Sequence, residues 1–399
     1  MKIILLTQDP HLPGGIANLF KIFKPKFRVP VDYYIMGSRS STEHLFSKVR
    51  RLVRDYRSYM LALKTHDIVH LNTSLRIKSF FRDSVFLLLA KSCDKKVLLF
   101  IHGWNPRFEK TITRHLLWVF KHVFFQADVI IVLCEQFKQR LLDWGYQQEI
   151  QLLSTAVDDA LVEVCTLDHI LQKIQDDTFQ LLFLSRIEKQ KGVYETIEAY
   201  AQLKSRYPFL RLTIAGVGSE LPHVMDYAQT KNIRDVEFPG FIQGREKQRM
   251  LKKAHLFCFP TRYGEGMPTN VIEAMAFGLP VITTPVGGLK DFFIPGEMGY
   301  FTPANKPTEL ARLIETLILD HALRTNMGIH NFEYARGHFL ASQVVNRLEE
   351  LYAQLDQTLT TPIVITDNSV TRSHLIHNRK LNTNTMSEIN KKKSKPLVR

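Results

Sequence analysis

Short apolar, β-branched runs alternate with longer stretches of helical periodicity over most of this chain. The runs Lys2–Thr7, Val31–Met36, Ile68–Leu71, Val97–Ile101, Val129–Leu133 and Ile150–Leu153 form one series. Leu181–Ser185, Leu210–Ala215, Val236–Phe238, Leu256–Phe259 and Val281–Thr284 form a second. Helical patterns such as Val193–Lys204 and Thr269–Phe277 lie between them. Continuous apolar strands separated by helices are what a parallel sheet covered on both faces requires. The pattern therefore predicts an α/β, doubly wound fold that occurs twice.

The polar, acidic stretch Asp158–Thr178 divides the two series. This gives a first domain over 1–165 and a second over 178–340. From Gln357 to Arg399 the chain turns to Thr, Asn, Ser and Lys with few large apolar residues. Such a tail cannot bury enough surface to offset chain entropy, so disorder is expected there. The length of 399 residues suits two domains and a remainder.

Charge adds a constraint. The net charge is +14 and the isoelectric point about 9.5, which predicts an anionic partner. The tail supplies part of this, with eight Lys and Arg against Asp367 and Glu388. No apolar run reaches the ~18–20 residues of a membrane span. The apolar N-terminus reads as a first strand rather than a signal peptide, which places the protein in the cytoplasm. Cys93, Cys134, Cys165 and Cys258 are far apart in sequence and read as reduced, mostly buried thiols.

The most informative stretch runs from Tyr263 to Ile282. It follows a strand and puts Glu265 between two glycines, just before a helix that opens near Pro268 and Thr269. Glu273 lies eight residues on, in the helix, so the two carboxylates can serve two parts of one ligand. Carboxylates accept well from sugar hydroxyls. Arg186 and Lys191 follow the first strand of the second domain, at the carboxyl end where such folds bind ligands. A planar fork and a point charge together suit a diphosphate. Gly14 and Gly15, after the first strand, would allow close backbone approach to a phosphate or sugar. His102 sits at another strand end. Two other patterns fail. Gly216 and Gly218 lack the third glycine of a dinucleotide site, and no Asp-x-Asp pair is present to hold a metal-bound nucleotide sugar.

These residues resemble a known family. Glu265 to Pro280 resembles the Glu-x7-Glu signature of family 4 glycosyltransferases. Ser185, Arg186, Lys191 and Gly192 resemble its phosphate loop, and Phe238 to Ile242 its segment against the nucleotide base. Pro285 to Gly288 is similar to its trailing loop. Ser185 stands where the family more often has glycine, and Ser154 to Asp158 departs from the family's linker phrase. The resemblance implies the GT-B fold: two Rossmann-like domains facing across a cleft, with a closing helix at about 341–355 packed on the first. It implies a UDP- or GDP-sugar donor, no metal or cofactor, and retention at the anomeric carbon. Arg186, Lys191 and Gly15 would hold the diphosphate and Glu273 the ribose. Glu265 would face the transferred sugar, with Gly266, Met267, Pro268 and Thr269 beside it. Phe241 and Ile242 would meet the base, and His102 would stand at the reacting centre.

The acceptor is expected to be a glycan or a lipid-linked molecule, with no nucleic acid as partner. Two stretches suit an anionic membrane surface. One carries Lys48, Arg50, Arg51, Arg54 and Arg57; the other, Arg107 to Phe125, mixes cations with Trp118, Phe120 and Phe124. The alternatives are that these aromatics are core, and that the chain is a basic α/β protein that binds polyanions without transfer.

Overall fold

The apolar runs become strands because β-branched and aromatic side chains pack well on both faces of a pleated surface. The computed structural model describes residues 1–9, 14–36, 45–173 and 177–360. The first six strands are β1 (Ile3–Thr7), β2 (Val31–Ile35), β3 (Ile68–Leu75), β4 (Lys96–Trp104), β5 (Val129–Val132) and β6 (Ile150–Leu152). The second six are β7 (Phe179–Leu184), β8 (Leu210–Ala215), β9 (Val236–Gly240), β10 (Leu256–Phe259), β11 (Val281–Thr283) and β12 (Gly299–Phe301). The sheet orders are β2-β1-β3-β4-β5-β6 and β12-β11-β10-β7-β8-β9, with all pairings parallel. Two doubly wound sheets are thus present, as the pattern predicts.

β3 and β4 run several residues past the apolar runs. Their added residues include Asn72, Thr73, Ser74 and His102, polar groups that the ladder carries to the carboxyl edge. β12 is an edge strand of three residues and gives no apolar run of its own.

Each sheet has its own core. The helix Ala341–Thr360 sends Val344, Leu348 and Tyr352 into the first core. It continues beyond Gln357, where the tail was expected to begin. The tail from 361, together with Pro10–Pro13 and the side chain of Lys48, lies outside the described residues. The stretch after Asp158 is not simply a linker. It forms the helices Asp159–Val162 and Leu167–Gln172. Val162, Cys165 and Ile170 pack in the second core, so the first domain ends before residue 165. The acidic residues hid this, because the apolar side of each short helix is only one or two residues wide.

The chain crosses between domains twice, and the crossings are paired. Val157 N–H donates to Phe339 O at 2.8 Å and Ala341 N–H to Val157 O at 2.9 Å. The carboxyl edges of the two sheets then meet. Glu135 N–H donates to Asp291 Oδ2 at 2.8 Å, and Arg76 donates to the Tyr263 hydroxyl at 3.2 Å. Met267 packs against both cores. Among the described residues no helix is long and apolar enough to cross a membrane.

Candidate active site

The site is built from four strand ends. Lys191 comes from the loop after β7. A Cβ on Gly192 would lie 2.4 Å from Pro260 O, and its φ is +86°. Only glycine fits this turn, which brings the β7 and β10 loops together. Lys191 is consequently 4% exposed. Its ammonium forms an ion pair with Glu265 and lies 4.1 Å from the centroid of the Tyr263 ring. A buried cation is tolerated only with such partners.

Glu265 sits in the loop after β10. The loop is held from behind by Gly287, whose φ is +48° and whose Cβ would fall 2.0 Å from Glu265 O. Gly288 N–H donates to Gly266 O at 2.7 Å. Gly266 itself abuts Leu133 and the His102 carbonyl of the first domain. Pro268 is the N-cap of the helix Thr269–Ala276. Asn270 ties that helix to the end of β7 by donating to Leu184 O at 2.7 Å.

Glu273, inside this helix, is nearly buried. Both its oxygens lie 2.6 Å from Lys247 Nζ. Lys247 was not singled out in the sequence, where it is one of several cations in the helix Gly244–Lys253. Its signal is position: it lies three and four residues before the buried Met250 and Leu251, at the border of the apolar face.

The structure separates some residues that the sequence grouped. Arg186 is exposed and pairs with Glu188 at 2.9 Å, while Lys191 is buried on Glu265. Phe241 is 66% exposed and free to stack, whereas Ile242 is buried in the core and cannot present its side chain to a base. Gly15 opens the helix Gly15–Phe23, and a Cβ there would meet nothing.

The first domain contributes a polar network around His102. Asn72, on β3, donates from its amide nitrogen to Leu6 O at 3.0 Å. Its Oδ1 therefore faces the His102 Nε2, at 2.7 Å. An amide oxygen only accepts, so His102 carries its proton on Nε2 and its Nδ1 is a lone-pair acceptor. Burial holds His102 well below the ordinary histidine range, with a smaller effect of His70 in the same direction. The ring is thus neutral, and it lies tilted over Phe100 with centroids 3.8 Å apart. Behind it, the Tyr352 hydroxyl lies 2.6 Å from His70 Nδ1. Burial pushes Tyr352 up and His70 down to about 3, so this contact joins a neutral phenol to a neutral imidazole. Among the described residues no group of three or more His, Cys, Asp or Glu side chains is placed to hold a metal ion.

Two doubly wound parallel domains that meet at their carboxyl edges define the GT-B fold. Residues 168–334 match the family described as Glycosyl transferases group 1. The chain is 28% identical over 233 residues to the putative colanic acid biosynthesis glycosyltransferase WcaL of Salmonella typhimurium, covering 57% of this chain and 56% of that one. It is 26% identical over 230 residues to the capsular polysaccharide biosynthesis glycosyltransferase CapM of Staphylococcus aureus, covering 55% and 56%. These alignments span about half the length of the curated relatives. Among solved structures, sucrose-phosphate synthase from Thermosynechococcus elongatus superposes with a TM-score of 0.71 at 21% identity, over 90% of this chain and 99% of that one. Anabaena HepE, in complex with UDP and glucose, gives 0.68 at 19%, over 89% and 100%.

Proposed function

We propose that this chain is a retaining, metal-independent hexosyltransferase of family 4. It would act in the cytoplasm and move a sugar from a UDP- or GDP-sugar to a glycan or lipid-linked acceptor in the synthesis of a surface polysaccharide or glycolipid. The observation that carries the reading is Lys191, a nearly buried cation at the meeting of both sheets' carboxyl edges, held by Glu265 and the Tyr263 ring. A cation so placed suits a ligand with concentrated negative charge. The UDP and glucose of HepE and the polysaccharide role in the names WcaL and CapM support the choice of donor and pathway.

The chemistry follows from the charges. As the bond from the anomeric carbon to the diphosphate oxygen breaks, positive charge grows on the sugar and negative charge on the leaving group. Lys191 and Arg186 stabilise the diphosphate, which is then the stronger anion for Lys191. Glu265, released from Lys191, faces the sugar as it becomes cationic. Glu273 accepts from the ribose hydroxyls, oriented by Lys247. His102 Nδ1 accepts from a sugar hydroxyl. The acceptor oxygen bonds the anomeric carbon from the same face, and its proton passes to the departing diphosphate oxygen.

The test is product stereochemistry. Proton NMR of the reaction with UDP- and GDP-hexoses, in EDTA, should show a product with the donor's anomeric configuration. An inverted product, or a requirement for added divalent metal, would refute the mechanism.

A further inference from the structure

The helix Ile77–Ser92 is apolar on both sides. Phe80, Phe86, Leu87 and Ala90 face the core. Ile77, Phe81, Val85 and Leu88 face outward and are exposed, Phe81 to 54%. Their spacing of four, four and three residues puts them on one line along the helix. A line of apolar side chains along a helix normally faces a packed neighbour. Here the line from Ile77 to Leu88 is uncovered over about 17 Å.

Its two neighbours repeat the feature with added charge. Phe86 packs against Tyr56 and Tyr59 of the helix Leu45–Leu63. Phe80 packs on Phe120 and Phe124 of the helix Leu117–Phe124. The aromatics read as an interfacial group are therefore largely core, as Phe108, Phe120 and Phe124 are buried. Trp118 differs, being 70% exposed, beside exposed Lys121. On the helix Leu45–Leu63, Val53 and Leu61 are exposed, interleaved with exposed Arg50, Arg54 and Arg57. The acids of the three helices are turned inward: Asp55 and Asp83 are buried. Among the described residues, the outward side of these helices carries apolar groups and cations, without an exposed carboxylate.

We infer that this face docks on an anionic lipid bilayer, with Ile77, Phe81, Val85 and Trp118 entering the interfacial region and Arg50, Arg54 and Arg57 meeting the headgroups. Apolar side chains ringed by cations are the composition that binds such surfaces. A second copy of the chain fits poorly, because a two-fold contact would set the basic rim against itself. The stripe starts at the cleft. Arg76, which bonds the Tyr263 hydroxyl, immediately precedes Ile77. A lipid-linked acceptor lying in the same bilayer would then reach the cleft directly. That last consequence rests on the transferase reading; the docking does not.

Vesicle flotation tests it on the full chain. Vesicles of phosphatidylcholine with phosphatidylglycerol should carry the protein, and phosphatidylcholine alone should carry it far less. Phe81→Glu should weaken binding roughly tenfold. Arg54→Glu with Arg57→Glu should weaken it about fivefold or more per residue. All of these positions are exposed, so the melting temperature should hold, and UDP binding should be unaffected by Phe81→Glu. The inference is overturned if wild type fails to float with the mixed vesicles or if the variants float equally well. It is also overturned if wild type forms a complex with itself or with an acidic protein that Phe81→Glu dissolves while vesicle binding persists.

Discussion

Glu265→Gln is expected to lower kcat by about 10²–10³-fold while the donor KM changes little, the loss typical of one preorganised electrostatic group. On the transferase reading Glu265 strengthens its contact only as the sugar gains positive charge. An amide of the same shape keeps the ground-state contact and loses that gain. Glu273→Ala should behave differently. A ribose contact is equal in the ground and transition states, so its loss should raise KM roughly ten- to a hundredfold with a smaller effect on kcat. The ion pair adds a second readout. Lys191 is nearly buried on Glu265, and removing one partner of a buried pair costs up to about 3–5 kcal/mol. Glu265→Gln should therefore lower the unfolding midpoint. Steady-state kinetics and denaturant titration check both. Exchanged kinetic signatures would mean that the two glutamates have each other's role, and wild-type behaviour of both would make the motif structural.

The second large effect is on stability against pH. Burial holds His70 and His255 down at about 3, with nearby Lys173 and Arg324 adding to the effect at His255. His102 is also held well below the ordinary range. All three are neutral when folded. Once unfolded, they take up protons below pH ~6.5. The unfolded chain then binds more protons, and stability falls as pH falls. Between pH 7.5 and 5.5 the loss should reach about 4 kcal/mol for three such groups, and it should be nearly flat above pH 7. Asp83, which burial pushes up, acts in the opposite sense and reduces the total. Urea midpoints at pH 7.5, 6.5 and 5.5 give the answer. A midpoint that stays level or rises on acidification would show that these rings are protonated in the fold.

The sequence was legible where chemistry and packing agree. Eleven of the strands could be placed because parallel strands are apolar on both faces, and the helix Val193–Lys204 was found at its observed limits. Reading failed where function puts polar groups in structural places. β3 and β4 seemed to end early because Asn72, Thr73 and His102 interrupt the apolar run, yet Asn72 and His102 belong to the candidate site. Asn72 and Lys247 gave no motif. Each is defined by what it holds, His102 in one case and Glu273 in the other, and such partnerships form only when strands 30 residues apart or a helix 26 residues away come together. Ile242 shows the converse error: a position beside a matched motif can belong to the core. The apolar stripe on Ile77–Ser92 was unreadable because a one-dimensional pattern does not reveal which apolar residues remain uncovered.

The central claim is that the meeting of the two sheets is a binding site for a nucleoside diphosphate in which Lys191 takes the negative charge. Calorimetric titration of UDP and GDP into wild type and Lys191→Ala, both in EDTA and both shown to be folded, tests it most directly. One of them should bind wild type saturably without metal. Binding to Lys191→Ala should be weaker by roughly a hundredfold, as expected when a charged hydrogen bond of ~1.5–3 kcal/mol is lost. Absence of saturable binding by wild type, or equal affinity in the variant, would contradict it.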